Sequence, residues 1–107
     1  MSTEKIRQLN DAFRTTFRGG TILMTPGVDD LPPCVKAHAL VMVAEFTSFD
    51  SGNDPHNEHD FGRFKLIGQT FFWKIDYYDK QCEFASEDPS DPSRTTRVLT
   101  LMLAAEY

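Results

Sequence analysis

At 107 residues and 12.2 kDa the chain is the size of one ordinary domain, 1–107, long enough to bury a single core without disulfide or metal staples. Hydrophobic residues at 40% and charged residues at 25% exclude a disordered class; no apolar run nears the ~20 residues of a bilayer span, and the polar start MSTEKIRQLN has no signal-peptide core. A cytoplasmic protein without a membrane partner is expected, and a net charge of −5 argues against direct binding to nucleic acid, where affinity comes from Lys and Arg displacing counterions.

Thr3 can cap a first helix whose apolar residues Ile6, Leu9, Phe13 and Phe17 follow helical spacing, with Gly19-Gly20 as its stop. Arg7, Asp11 and Arg14 fall on the other face, which reads as solvated. TILM at 21–24 is a brief strand closed by the turn residues Thr25-Pro26-Gly27. Asp30 ahead of Leu31-Pro32-Pro33 signals a second helix running to about Phe46. Its apolar residues lie on more than one side, so it is expected to be the most buried helix. His38 within it reads as an ordinary helix residue.

FGRFKLI and TFFWKIDYYD are strands joined at Gly68-Gln69 as a hairpin. Phe71, Trp73, Ile75 and Tyr77 alternate with Phe72, Lys74, Asp76 and Tyr78, so the first set is expected to meet the helices, with Trp73 buried. QCEFA reads as a short returning strand. Asp91-Pro92 repeats the pattern of a helix start, and RVLTLMLAAEY reads as a closing helix near 92–105. The resulting order is α-β-α-β-β-β-α, an α+β domain with a small antiparallel sheet packed against helices. Cys34 and Cys82 belong to no CxxC pair, and a reducing compartment favours two buried free thiols.

The charge is uneven. Residues 1–18 hold Lys5, Arg7, Arg14 and Arg18 against Glu4 and Asp11, a net +2, whereas residues 45–91 hold eleven acids against Arg63, Lys65, Lys74 and Lys80, a net −7. An acidic body of that kind suits a basic protein partner and also serves plain solubility. Asp50, Asp54, Glu58, Glu87 and Asp88 are the residues expected to form a negative binding patch.

The segment NDPHNEHDFG at 53–62 permits metal chemistry. His56, Glu58 and Asp60 share a side if it is extended; His56, His59 and Asp60 converge if it turns helically. His, Glu and Asp suit zinc or a similar divalent ion. The plainer reading is an Asn-Asp-Pro turn whose acids and histidines hydrogen-bond the backbone on the way into the strand, with no cofactor. His56-x-Glu58 matches the H-x-E of zinc deaminases, but the Pro-Cys at 33–34 lies upstream and no second cysteine follows at the needed spacing. Asp60-Phe61-Gly62 spells the kinase magnesium tripeptide in a chain too short to be a kinase. Asp76 and Glu83 are the carboxylates to nominate for acid-base work, with no spacing argument behind them. The aromatic strand could stack bases, yet Lys74 is its only cation.

Taken together, NDPHNEHDFG, FFWKIDYYD and RVLTLMLAAEY resemble the signature blocks of a small bacterial protein family known only as a domain of unknown function. IRQLNDAFR and LPPCVKAHAL also read like its members, so the resemblance covers nearly the whole chain. It implies a stand-alone cytosolic protein often carried on plasmids and other mobile elements, with no catalytic residue to transfer. That setting implies a role in conflict with host defences, including inhibition of restriction or CRISPR machinery. The expected function is a non-enzymatic acidic binding protein that engages a basic nucleic-acid-binding surface of a host defence protein. The alternative is a metal-dependent hydrolase or metal-stabilised domain centred on His56, Glu58, His59 and Asp60.

Overall fold

The computed structural model describes residues 2–107. Helix α1 (Thr3–Thr16) is capped by Ser2, one residue before the expected Thr3, with the Ser2 hydroxyl accepting from the Lys5 amide at 3.2 Å. It ends at Phe17, whose left-handed φ of 59° closes the last turn before the glycines are reached. Strand β1 (Gly20–Met24) follows. Thr25-Pro26-Gly27 opens a single helical turn, α2 (Pro26–Asp29), where sequence pattern alone reads only a turn. Pro at the first helical position explains it.

Helix α3 (Pro33–Glu45) buries only Ala39 and Val43, fewer residues than α1, and leaves Val41 exposed. The expectation that it is the most buried helix therefore fails: its apolar residues surround it, and only one stripe can meet the sheet. Strands β2 (Phe61–Leu66) and β3 (Gln69–Tyr78) form the expected hairpin. Ile67 and Gly68 connect them at φ 51° and 76°, the positive pair a type I′ turn requires.

The main correction lies at the C-terminus. Residues 96–103 are not a helix but strand β4 (Thr96–Leu103), and only Ala104–Glu106 coil, as a 3-10 turn. QCEFA is not a strand either: Cys82 sits at φ 57°, and the segment's one tie to the sheet is a bridge between Tyr78 and Ala85. The four strands lie in the order β1-β4-β3-β2, and because β1 pairs parallel with β4 the sheet is mixed, not purely antiparallel. The protein is α+β, a small sheet packed on helices.

Register assigns the faces. Trp73 pairs with Leu101 and Ile75 with Leu99, and these join Phe71, Phe13, Val28, Ala39 and Val43 in the core beneath the helices. Trp73 is fully buried, as the alternation in β3 predicts. The opposite face carries Leu23, Phe72, Lys74, Asp76, Val98 and Met102, part of it shaped as an open trough of about 640 Å³. Both cysteines are free thiols, as expected, but exposed instead of buried.

Candidate functional site

The loop 50–60 is built from its own acids. Asp50 Oδ1 accepts the amides of Gly52 and Asn53 at 2.8 and 2.9 Å. Asp54 Oδ1 accepts those of Glu58 and His59 at 3.0 and 3.1 Å. Asn57 and His59 adopt left-handed φ values of 56° and 55°, so the chain doubles back twice before Asp60 O takes the Ile75 amide at 2.8 Å and β2 begins. The acids take backbone amides as the plainer reading of NDPHNEHDFG expects, but the histidines do not follow it: the His56 side chain is exposed and that of His59 turns to Asp11, outside the loop.

Helix α1 locks the loop in place. His59 Nδ1 lies 3.0 Å from both oxygens of Asp11, and its ring stacks on Phe49 at 3.9 Å. Arg14 donates to Asp11 Oδ1 through Nε and Nη2 at 3.2 and 3.0 Å. Its Nη1 reaches the carbonyls of Val43 and Ala44 at 3.0 and 3.3 Å, supplying donors to the open C-terminal end of α3. The α1 face that reads as solvated is therefore in part interior: Arg14 is 5% exposed, over the rings of Phe49 and Trp73. The signal present in the sequence was Asp11-x-x-Arg14, a spacing that suits an ion pair but says nothing of depth.

A second network joins this loop to the one before β4. Asn10 Nδ2 donates to Glu58 O at 3.0 Å and to Tyr77 Oη at 2.8 Å, and Tyr77 Oη donates to Glu58 Oε1 at 2.7 Å. Arg97, 3% exposed, donates from Nε to Asn10 Oδ1 at 2.8 Å and from Nη2 to Pro89 O. Its guanidinium lies over the Tyr77 ring, 5.3 Å from the centroid. Burial, followed by the hydrogen bond to Glu58, raises the Tyr77 pKa beyond its usual range. Burial lowers that of Arg97, with Tyr77 and Glu58 opposing the shift. Asp60 is raised by burial and by repulsion from Glu58 and Asp54.

The expected binding acids divide. Asp50 and Glu87 are exposed, and Glu87 pairs with Arg94. Asp88 is held by the Ser90 hydroxyl, which lowers its pKa. Asp54 is buried and Glu58 turns inward to Tyr77, so neither offers its whole carboxylate to a partner. Of the residues nominated for metal, Glu58 faces Tyr77, His59 faces Asp11 and His56 is exposed. Among the described residues no three His, Cys, Asp or Glu side chains converge to hold an ion. Asp76 pairs with Lys74 at 3.2 Å on the open face, and Glu83 lies on an exposed loop. Asn10, Asp11, Arg14, Tyr77 and Arg97 were not legible as site residues, because their roles depend on partners up to 87 positions away.

The trough on the open face, about 640 Å³, exceeds the hollow of about 440 Å³ lined by the loop residues Asp50, Asp54 and His59, but its ion pair, Lys74 with Asp76, is self-satisfied and directs no ligand. The acidic end is the better candidate, since its polar groups are positioned by buried residues from three elements.

These features define an α+β protein with a hydrogen-bonded acidic end and a second sheet face that the C-terminal turn covers only in part. The chain belongs to the family described as a protein of unknown function, DUF3768, which matches residues 24–106. Helix α1, which supplies Asn10, Asp11 and Arg14, lies before the matched region. No curated protein and no solved structure matches the chain.

Proposed function

We propose that the chain acts by binding. On this reading it is an acidic cytoplasmic protein of bacterial mobile elements that covers the basic nucleic-acid-binding surface of a host defence protein, as an inhibitor of restriction or CRISPR machinery. One observation carries it: the loops 50–60 and 79–91, distant in sequence, are joined at the Tyr77 end of the sheet through Asn10 and Arg97. Together they hold nine acids against Lys80. The wider surface adds to this. Burial of Arg14, Arg97 and Asp54 leaves fifteen of sixteen acids against nine of eleven cations. An ordered acidic end of that kind competes with phosphate for cationic protein surfaces.

The test is capture by the tagged chain of defence proteins co-expressed in a bacterial host, followed by binding kinetics at several salt concentrations. Expected are competition with nucleic acid for the partner, association slowed by salt, and binding weakened at least about tenfold by combined Glu83→Lys, Glu87→Lys and Asp91→Lys. A partner whose affinity ignores both salt and charge reversal rejects the reading.

A further inference from the structure

The two edge strands of the sheet differ in chemistry. Neither β1 nor β2 pairs with a further strand among the described residues. The β2 edge carries the exposed cations Arg63 and Lys65, whose charge discourages pairing with another chain. The β1 edge, GTILM, holds no charge and no proline, and its unbroken register with β4 leaves no bulge. Leu23 at its centre is 50% exposed. The devices that protect an edge from pairing are thus present on β2 and missing from β1.

Parallel pairing with β4 sets the backbone phase of β1. Thr25 N–H donates to Leu101 O, so Thr21, Leu23 and Thr25 turn their amides and carbonyls towards β4. Ile22 and Met24 direct theirs to the free edge, where they form no hydrogen bond among the described residues. An antiparallel strand fits that edge when it offers the same groups at the same spacing. The β1 of a second copy does so about a twofold axis through Leu23. Ile22 then exchanges both backbone bonds with Met24 of the second copy, and Met24 with its Ile22. The two Leu23 side chains meet on the open face as the closely spaced, non-hydrogen-bonded pair.

Charge agrees with this arrangement. Gly20 aligns with Arg97 and Tyr77, so β1 starts at the acidic end of the sheet and runs away from it. Antiparallel pairing therefore sends the two acidic ends to opposite corners of the dimer, where their repulsion is screened. The same register carries Arg18, just before β1, towards α2 of the second copy. Arg18 is exposed and makes no ion pair among the described residues, and α2 there presents the exposed Asp29 and Asp30.

We propose that the chain forms a twofold dimer through β1, joining two four-stranded sheets into one continuous sheet with both troughs on the same side. The dimer does not depend on the binding reading above and leaves both acidic ends free for a partner.

The test is sedimentation of the intact chain over a range of concentrations, with a reversible monomer–dimer equilibrium expected. Leu23→Lys sets two ammonium groups against each other at the axis and is expected to weaken the dimer at least about tenfold, whereas Lys65→Glu on the β2 edge leaves it unchanged. A second measurement reads the register. With Cys34→Ser and Cys82→Ser in place, Leu23→Cys is expected to form an interchain disulfide under mild oxidation. Thr21→Cys is not, because the register sets Thr21 against Thr25 of the second copy. The mass of a single chain at every concentration up to about 0.1 mM overturns the proposal. So does a dimer that Leu23→Lys leaves intact, that Lys65→Glu breaks, or that crosslinks equally through Thr21→Cys. Should Leu23→Lys fail to fold, sedimentation of the unaltered chain and the two cysteine variants still decide.

Discussion

His59 Nδ1 sits 3.0 Å from both carboxylate oxygens of Asp11, a residue 48 positions earlier on α1. This contact ties the NDPHNEHDFG loop to the first helix, and the stack on Phe49 shields it. His56, three residues before, is exposed. His59→Ala is expected to cost about 1–3 kcal/mol, from a lost bond to a charged group and a lost ring contact, and His56→Ala less than about 0.5 kcal/mol. Urea denaturation measures both. A chelator is expected to leave the melting temperature unchanged; a large drop abolished by His56→Ala would instead establish a metal site in the loop.

Arg97 holds the two acidic loops together from inside. Arg97→Met keeps an apolar stem over Tyr77 but leaves Asn10 Oδ1 and Pro89 O without their donor. The expected loss is about 2–4 kcal/mol, with Arg97→Lys intermediate because a single ammonium cannot reproduce the guanidinium fork. Equal stability of Arg97→Met and the unaltered chain would show that the bridge contributes nothing.

The faces of β3 were legible because the wholly apolar-to-aromatic set Phe71, Trp73, Ile75 and Tyr77 alternates with a set interrupted by the charges Lys74 and Asp76, and the first face meets the helices. Strand β4 was not. As an interior strand it packs Leu99 and Leu101 on the helix side and has Val98 and Met102 buried on the other. A run apolar on both faces loses its two-residue period, and Leu, Met and Ala then read as helix formers. Pairing with β3 along its whole length, and with β1 over residues 97–101, overrides that propensity. The Asp54 turn could be anticipated from Asn53-Asp54-Pro55, whereas the Asp50 turn ahead of it was not, and the depth of Arg14 depends on carbonyls at the far end of α3.

Gly62, the second residue of β2, is the register partner of Trp73, and its role is to leave room for the indole. A Cβ there would meet the indole nitrogen and lie 2.6 Å from Cε2, and Trp73 is fully buried and unable to withdraw. Gly62→Ala is therefore expected to destabilise by about 1–3 kcal/mol and to quench or shift the Trp73 fluorescence. Unchanged stability would mean that β2 can slide outward at no cost.

The hairpin turn contains an opposite opportunity. Ile67 is 59% exposed and holds φ at 51°, a conformation that crowds a β-branched side chain. Asn accepts this conformation and precedes glycine in the preferred type I′ pair, so Ile67→Asn is expected to stabilise by about 1 kcal/mol. A lower melting temperature for Ile67→Asn would show that the exposed isoleucine makes a contact worth more than the relief of its backbone.

Asp60 sets the pH dependence of the loop. Its carboxyl makes no side-chain hydrogen bond among the described residues, and burial together with Glu58 and Asp54 raises its pKa above the model-peptide value of 3.8. A raised carboxyl pKa means that the folded state prefers the neutral acid. Stability from this group is fully present below about pH 3.8 and is lost as pH rises through the folded-state value. At neutral pH the Asp60 charge thus works against folding. Asp60→Asn removes that charge while its Oδ1 can still accept the bond from its own backbone amide, and burial with the Glu58 and Asp54 repulsion outweighs the opposing pull of His56, so the change is expected to raise the melting temperature at pH 7 by a few degrees. The gain should shrink as pH falls and vanish near pH 3, where Asp60 is neutral in both states. Thermal melts of the two proteins at pH 7, 5 and 3 provide the comparison. A destabilised Asp60→Asn at pH 7, or a gain that persists at pH 3, would show that the carboxylate makes a favourable contact in the fold and that its burial is not the controlling effect.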